Sequence, residues 1–463
     1  MSALQPCFKA YDIRGVFPDE INSNFAYCLG RAAAKILKPE TAVLGRDARL
    51  SSETLEEALA LGLYREGVKI FTIGLGGTEE IYHACANNPY QLGIMVTGSH
   101  NPKNENGFKL VKGGSLPITF ETGLGEIARL VSQMLAETDN KAFPEFAADS
   151  ARGIKRNHRE DYLKKILSVS GFDPEARIRG KRLKILIDAG NGCAATVLRP
   201  LQEFLPFDFI EENYMPDGNF PNGVPNPLLP ERRAHTSRRI AECGADLGVG
   251  FDGDFDRCFF YESKGAFQDG YYIIGILARE LLANRPGEKI IHDPRGYWNT
   301  REIVHEAGGK PVMGKTGHSF MKAAMRGENA IYGGEMSSHH YFRDFAYCDS
   351  GMIAMLLVLR NLMRSGQDLE ELTHNMRVRW PISGEINFKA DEADEIMNQV
   401  WTRYLPYSTY QDKLDGLNME FGDWRFNLRK SNTENILRLN VESRQNLALL
   451  EEKTEELSSF CKT

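Results

Sequence analysis

Leu183-Lys184-Ile185-Leu186-Ile187 is a short apolar run rich in β-branched residues. Asp188-Ala189-Gly190-Asn191-Gly192 breaks it into a glycine turn, and a helical pattern begins at Cys193-Ala194-Ala195. Such a run predicts a buried strand, and strand, turn and helix in that order are the repeating unit of an α/β sheet. The unit recurs in both directions. Thr41–Gly45 leads through Arg46 and Asp47 to Ser51-Ser52-Glu53, which predicts a capped amphipathic helix. Val68–Ile73 and Gly93–Val96 are further predicted strands upstream, and Asp246–Gly250, Lys289–His292 and Lys310–Met313 downstream. From about Asn375 the pattern changes to strand, helix, strands, helix, with fewer glycines. Candidate seams are the polar stretch Thr138–Arg156, the region just after Asp256, and Arg364–Asp368. The predicted fold class is therefore α/β. Three similar α/β domains with mixed sheets are expected at 1–148, 149–257 and 258–368, and a smaller C-terminal α+β domain at 369–463.

A chain of 463 residues suggests roughly three domains at about 150 residues each. Its formal charge of −7, with 42% hydrophobic and 26% charged residues, argues against a generic nucleic-acid or anionic-membrane binder, because both want a basic face. It leaves room for a local basic pocket that binds phosphate. No stretch approaches the ~20 apolar residues of a membrane helix, and Met1–Cys7 lacks the basic and apolar regions of a signal peptide. Eight cysteines are scattered singly with no C-x-x-C pair, which predicts reduced thiols and a cytoplasmic protein.

Two nucleotide motifs test poorly. Gly309–Thr316 fits G-x-x-x-x-G-K-T, but a helix precedes the first glycine and Pro311-Val312-Met313 is itself strand. A phosphate-cradling P-loop needs the strand before the loop and the helix directly after it. Gly190–Ala195 fits G-x-G-x-x-A after a strand, with Glu211 and Glu212 about 20 residues on. The favoured alternative is a tight glycine turn that lets a helix pack closely on a sheet, since nothing else supplies hydride-transfer chemistry.

The chemistry concentrates elsewhere. Asp252-Gly253-Asp254-Phe255-Asp256-Arg257 follows an apolar strand and offers three carboxylates on alternate residues. An EF-hand fails, because its glycine and glutamate positions hold Arg257 and Ser263. Crowded carboxylates repel one another without a cation, so Mg²⁺ is the first expectation and a solvated turn the alternative. Val96–Pro102 carries Ser99 as a small, exposed hydroxyl on a glycine turn, suited to a nucleophile or phosphate carrier once a base or metal activates it. His100, Lys109 and the Asp252–Asp256 loop are candidates to do so. The alternative there is a helix cap or an Asn-Pro turn. Glu335, Ser337, Ser338, His339 and His340 join hydroxyls, imidazoles and a carboxylate suited to vicinal sugar hydroxyls. Adjacent side chains on an extended segment face opposite ways, so His339 and His340 are not expected to share a metal. Arg429-Lys430-Ser431-Asn432-Thr433 offers cations, hydroxyls and an amide at a turn, a cradle for a phosphate dianion.

Taken together with Ala10–Gly15, Gly77–Tyr82, Pro216–Gly223 and His339–Asp344, these four sites resemble the α-D-phosphohexomutase superfamily over essentially the whole length, closest to its bacterial phosphomannomutase branch. The resemblance implies four domains in a heart shape around a central active-site cleft. It also implies reversible interconversion of mannose 6-phosphate and mannose 1-phosphate, through a phosphoserine and a hexose 1,6-bisphosphate that serves as intermediate and activator. Ser99 would carry the phosphoryl group, and Asp252, Asp254 and Asp256, with Ser99, would hold Mg²⁺. Tyr11, Arg14, His100, Lys109 and Arg257 would line the catalytic centre, with Arg295 where many relatives have Lys. Lys315, Thr316, Gly317 and His318 would form a substrate loop, and Glu335, Ser337 and His339 would meet the sugar. Arg429, Ser431, Asn432 and Thr433 would meet its phosphate.

Ser338 replaces a common glycine and Asn435 a usual proline, and the first departure bears on sugar preference. The expected partners are small-molecule hexose phosphates, with neither nucleic acid nor membrane, and the expected form is a monomer or weak dimer. The alternatives are a phosphoglucomutase or dual-specificity enzyme, a dehydrogenase built on Gly190–Ala195, and a non-catalytic sugar-phosphate binder.

Overall fold

Leu92–Val96 is buried at every position, the pattern of a strand covered on both faces. It lies inside the first sheet of a computed structural model that describes residues 5–137, 153–173, 182–431 and 436–462. In chain order the strands of this sheet are β1 (Ile13–Val16), β2 (Thr41–Arg46), β3 (Lys69–Leu75), β4 (Leu92–Val96), β5 (Glu105–Lys112), β6 (Leu116–Pro117) and β7 (Ile154–Lys155). Their spatial order is β1-β5-β4-β2-β3-β7, with β6 beside β5. β2 runs parallel to β3 and β4, while β5 is antiparallel to β4 and β1, so the sheet is mixed. Helices Ser23–Leu37 and Ser52–Arg65 cross closely because each places a glycine at the contact. A Cβ on Gly30 would stand 2.3 Å from Leu59 O, and one on Gly62 2.2 Å from Tyr27 O.

The second sheet has β8 (Lys184–Asp188), β9 (Asp208–Glu212), β10 (Leu247–Phe251) and β11 (Cys258–Tyr261) in the order β11-β10-β8-β9. β8 is parallel to β9 and β10, and the β10–β11 pair is antiparallel. Both sheets belong to one unit, residues 1–266 with 344–356; the other holds 267–343 and 357–463.

In the second unit, β12 (Lys289–His292), β13 (Lys310–Met313), β14 (Tyr332–Gly334) and β15 (His340–Phe342) lie in the order β13-β12-β14-β15. Its other sheet is antiparallel throughout: β16 (Ile386–Lys389), β17 (Tyr410–Asp412), β18 (Leu417–Glu420), β19 (Trp424–Lys430) and β20 (Ile436–Ser443), in the order β16-β20-β19-β18-β17. Helices Ala393–Tyr404 and Leu447–Cys461 pack on this sheet through Val400, Leu450 and Leu457. Arg425, fully buried, joins the unit's two sheets. It pairs with Glu442 at 2.5 Å and donates to Pro294 O at 2.7 Å and Arg295 O at 3.0 Å. Removing either partner would strand a buried charge.

Two expectations need adjustment. Ser51 makes no capping bond to the helix it precedes. Its Oγ accepts from Asn106 at 2.8 Å, and Ser52 Oγ donates to Asp47 Oδ1 at 2.5 Å, so a tertiary network has taken over the local cap. Most of the Thr138–Arg156 seam lies outside the described residues. Among the described residues no helix is long and apolar enough to cross a membrane, and no cysteine is in a disulfide.

Candidate active site

Functional side chains gather where β4 and β10 end, since a parallel strand delivers its following loop to the carboxyl edge of the sheet. After Val96 the chain turns through Ser99, whose φ of +47° lies in the left-handed region; for a residue with a side chain this costs about 1–2 kcal/mol. Asp47 holds the turn from below, accepting from Thr97 Oγ1 at 2.8 Å and Gly98 N at 3.2 Å. Ser99 is 2% exposed, not the open hydroxyl its glycine turn predicts, because the loop after β10 packs over it. Ser99 Oγ donates to Asp252 Oδ2 at 2.9 Å and lies 3.1 Å from His100 Nδ1. Only glycine permits that approach at position 253, where a Cβ would stand 2.5 Å from Ser99 O.

Asp252, Asp254 and Asp256 are buried, and they can bring one oxygen each within 4.8 Å of the others. The repulsion among them is already partly answered. Lys109 Nζ reaches Asp254 Oδ2 at 2.7 Å and Asp256 Oδ2 at 2.5 Å. Arg257 NH2 and Nε bind Asp252 Oδ2 at 2.9 and 3.0 Å, and Thr78 donates its hydroxyl to Asp254. Burial alone would drive the Lys109 ammonium toward neutrality, but Asp254 and Asp256 outweigh it and raise its proton affinity. Burial likewise opposes charge on Asp254, and Lys109 reverses this and holds the carboxyl below its usual range. Charge balance therefore does not by itself demand a metal. The second oxygen of Asp254 does argue for one: Oδ1 is buried without a hydrogen-bond partner among the described residues. An all-oxygen cluster with an unsatisfied carboxylate oxygen fits a hard divalent cation. Arg14, tied to Asp12 at 2.8 Å, adds positive charge near Asp254 and Asp256, and Tyr11, three residues before it, is partly buried.

The glycines of Gly190–Ala195 serve this same loop. A Cβ on Gly192 would lie 2.7 Å from Gly253 O, and Cys193 N donates to that oxygen at 2.9 Å. They bring a helix start against the Asp252–Asp256 turn, while Glu212 is occupied by His235 and Arg239, both at 3.0 Å. In Gly309–Thr316, Lys310–Met313 is β13 and the next helix begins at His318, so no P-loop forms.

In the second unit Arg295 is buried at the end of β12 and forks onto Asp293 Oδ2 at 2.6 and 3.0 Å. It also reaches Glu385 at 3.3 Å, Ser337 Oγ at 3.3 Å and Glu335 at 3.9 Å. Glu385 is shared with Arg438 at 3.1 Å and Arg429 at 3.5 Å. Burial opposes its charge, but Arg295, Arg438 and Arg429 hold its carboxyl below the usual value. Glu335 accepts from Gly317 N at 2.8 Å and from the Tyr341 hydroxyl, which ties the Lys315–His318 loop to the Glu335–His339 turn. Lys315 lies over the Phe320 ring at 4.7 Å, Thr316 N donates to Asp415 at 3.3 Å, and His318 is partly buried.

His339 is partly buried with its ring 6.1 Å from Tyr341, whereas His340 points into the core and bonds the Tyr332 hydroxyl at 2.7 Å. Ser338 takes a left-handed φ of +66°, the conformation that glycine at this position adopts without strain. Arg429 lies inside β19 rather than in a turn and is buried. Ser431 follows the strand, its Oγ 3.4 Å from Arg438. Asn432, Thr433 and Asn435 lie outside the described residues. Sequence reasoning misses Arg49, Asp293 and Glu385, and gives Asp47 and Thr78 no role although both lie in quoted stretches. Asp47 and Asp293 directly follow strands, a usable signal; Glu385 offers none.

The segments 5–134, 160–265 and 269–378 match the family models for alpha/beta/alpha domains I, II and III of phosphoglucomutase/phosphomannomutase. The chain belongs to this family. Among its phosphohexomutase relatives, a protein of Salmonella montevideo named phosphomannomutase is 49% identical, covering 97% of this chain and 98% of the relative. A relative from Xanthomonas campestris named phosphohexose mutases is 48% identical, covering 98% and 99%. The crystal structure of a phosphoglucomutase/phosphomannomutase family protein from Burkholderia thailandensis superposes with a TM-score of 0.84 at 29% identity, over 99% of this chain and 97% of that one.

Proposed function

We propose that this phosphohexomutase interconverts mannose 6-phosphate and mannose 1-phosphate. The observation that carries the proposal is the Ser99 hydroxyl, held 2.9 Å from a carboxylate of a three-aspartate cluster with Lys109 beside it. The Salmonella relative's name supplies the substrate. Phosphorylated Ser99 donates to the free hydroxyl of the sugar phosphate: the bond from Ser99 Oγ to phosphorus breaks, a bond from the sugar oxygen to phosphorus forms, and the sugar's proton ends on Ser99. The resulting 1,6-bisphosphate turns end for end and returns its other phosphoryl group to Ser99 by the reverse exchange.

Asp252, Asp254 and Asp256 would hold Mg²⁺, which supplies charge neutralisation at the transferring oxygens. Lys109, Arg257 and Arg14 add fixed positive charge to the same region, His100 borders Ser99 Oγ, and Tyr11 completes the wall. Glu335, Ser337 and His339 bind sugar hydroxyls, and Lys315 and His318 flank them. Arg429, Ser431, Asn432 and Thr433 grip the phosphate that is not in transfer, while Arg295 organises Ser337 and Glu385 between them. We propose four domains, with the first limit moved from 148 to about 156 and the second from 257 to about 266, because β7 pairs with β3 and β11 with β10; the third limit stays at 368, and the proposed site of action is cytoplasmic.

The Xanthomonas relative's broader name favours a second reading, dual action on mannose and glucose phosphates. The two sugars differ at C2 alone, and one hydroxyl is worth little unless a buried group depends on it. Specificity constants for mannose 1-phosphate and glucose 1-phosphate decide between them. A ratio above ~10 for mannose supports the first reading, a ratio near one the second, and no turnover of either overturns both.

A further inference from the structure

Arg49, in the turn after β2, has no part in the chemistry above, yet its side chain is wholly buried. Its guanidinium is spent mostly on main-chain carbonyls of a single loop. NH2 donates to Ser99 O at 2.9 Å and Asn101 O at 2.6 Å; NH1 donates to Pro102 O at 2.6 Å and Glu105 O at 2.7 Å. Nε lies 3.3 Å from Asp47 Oδ2, the carboxylate that also holds Thr97 and Gly98. The segment from Gly98 to Glu105 therefore winds around one planar cation. Gly98 makes the winding possible, since a Cβ there would stand 2.4 Å from Arg49 Nε.

The Pro216–Gly223 stretch, which the proposed mechanism also leaves unused, closes the other side. Phe220 is buried with a left-handed φ of +47°, and its ring centre lies 5.3 Å from the guanidinium carbon. Gly218 lets this stretch approach, because a Cβ on it would meet Ala48 O at 2.4 Å. We infer that Arg49, backed by Phe220, is a positioning residue that fixes Ser99 in its left-handed turn and so keeps Oγ aimed at the aspartate cluster. The inference rests on the reading of Ser99 as phosphoryl carrier. A fork of five donors in one plane suits four carbonyls of one loop; a lysine carries the same charge without that geometry.

The test uses full-length Arg49→Lys and Phe220→Leu, each checked for folding by circular dichroism and thermal melting. Ser99 is labelled from a radioactive hexose 1,6-bisphosphate, and transfer of the label to mannose 1-phosphate is followed in a single turnover. Displacing a reacting group by about 1 Å costs on the order of 100-fold. Arg49→Lys should therefore transfer roughly 10- to 100-fold more slowly, and Phe220→Leu more slowly in the same direction. The KM for hexose phosphate and the Mg²⁺ affinity should stay within about threefold of wild type. A purely stabilising role would lower the melting temperature and the active fraction without slowing transfer per labelled enzyme. That result, or wild-type transfer in both folded variants, overturns the inference. If Arg49→Lys does not fold, Phe220→Leu decides alone. Failure of wild-type Ser99 to take up label overturns the carrier reading, and this inference with it; a labelled wild type with unaffected variants removes only this inference.

Discussion

Replacing Asp254 by Asn keeps the side chain's size and removes its charge, so it separates packing from cation binding. In the structure Oδ2 is committed to Lys109 at 2.7 Å and to the Thr78 hydroxyl, and Oδ1 is buried without a partner among the described residues. An amide in this position has one acceptor oxygen to divide between two roles. If that oxygen faces Lys109 and Thr78, the NH2 occupies the cation's side; if it faces the cation, the NH2 confronts an ammonium. Either way one charge-assisted interaction is lost, worth roughly 1.5–3 kcal/mol, or about 10- to 150-fold in affinity. Isothermal titration with Mg²⁺, and electron paramagnetic resonance with Mn²⁺ as a stand-in, read that loss directly. Activity against Mg²⁺ concentration should shift by the same factor and recover in part at high Mg²⁺. A dissociation constant within twofold of wild type, with one ion still bound per chain, would show that the cation sits elsewhere.

Arg429→Ala should raise KM for mannose 6-phosphate and mannose 1-phosphate alike by roughly 10- to 150-fold, on the same hydrogen-bond energies. Ser99 should still be phosphorylated, and an unchanged KM for both substrates would place the phosphate grip elsewhere. His340 gives a pH signature: burial pushes its imidazole down from 6.5 to about 3. Between those values the unfolded chain takes up a proton that the native chain refuses. The stability tied to this residue is therefore whole above pH 6.5 and is lost as pH falls toward 3, at about 1.4 kcal/mol per pH unit. Urea unfolding from pH 6.5 to 4 should show a flatter slope for His340→Gln than for wild type by about that amount, and parallel slopes would refute it.

Short apolar runs that end in a turn signal are the most legible part of the fold. Lys289–His292 and Lys310–Met313 are strands over the same residues that the pattern predicts, and the Thr41, Leu183 and Asp246 strands shift by a residue or so at their ends. Tyr332–Gly334 and His340–Phe342 escape notice because three residues containing glycine or histidine carry no period. Within the site, Asp252, Asp254 and Asp256 are readable because their spacing is local. Glu385 gathers Arg295, Arg429 and Arg438 from 90, 44 and 53 positions away; only the folded chain makes those distances short. Arg49 is silent for the same reason, since its partners are carbonyls, which every residue possesses. Ser51 shows the converse: a sound capping signal overridden by Asn106.

Phosphate on Ser99 is the central claim, and peptide mass spectrometry of the enzyme after incubation with a hexose 1,6-bisphosphate tests it most directly. The account predicts one phosphate per chain, on the peptide containing Thr97–Pro102 and localised to Ser99, discharged on adding mannose 6-phosphate, and absent in a folded, inactive Ser99→Ala. Turnover by Ser99→Ala at the wild-type rate, or an active enzyme whose phosphate maps to another residue, would contradict it.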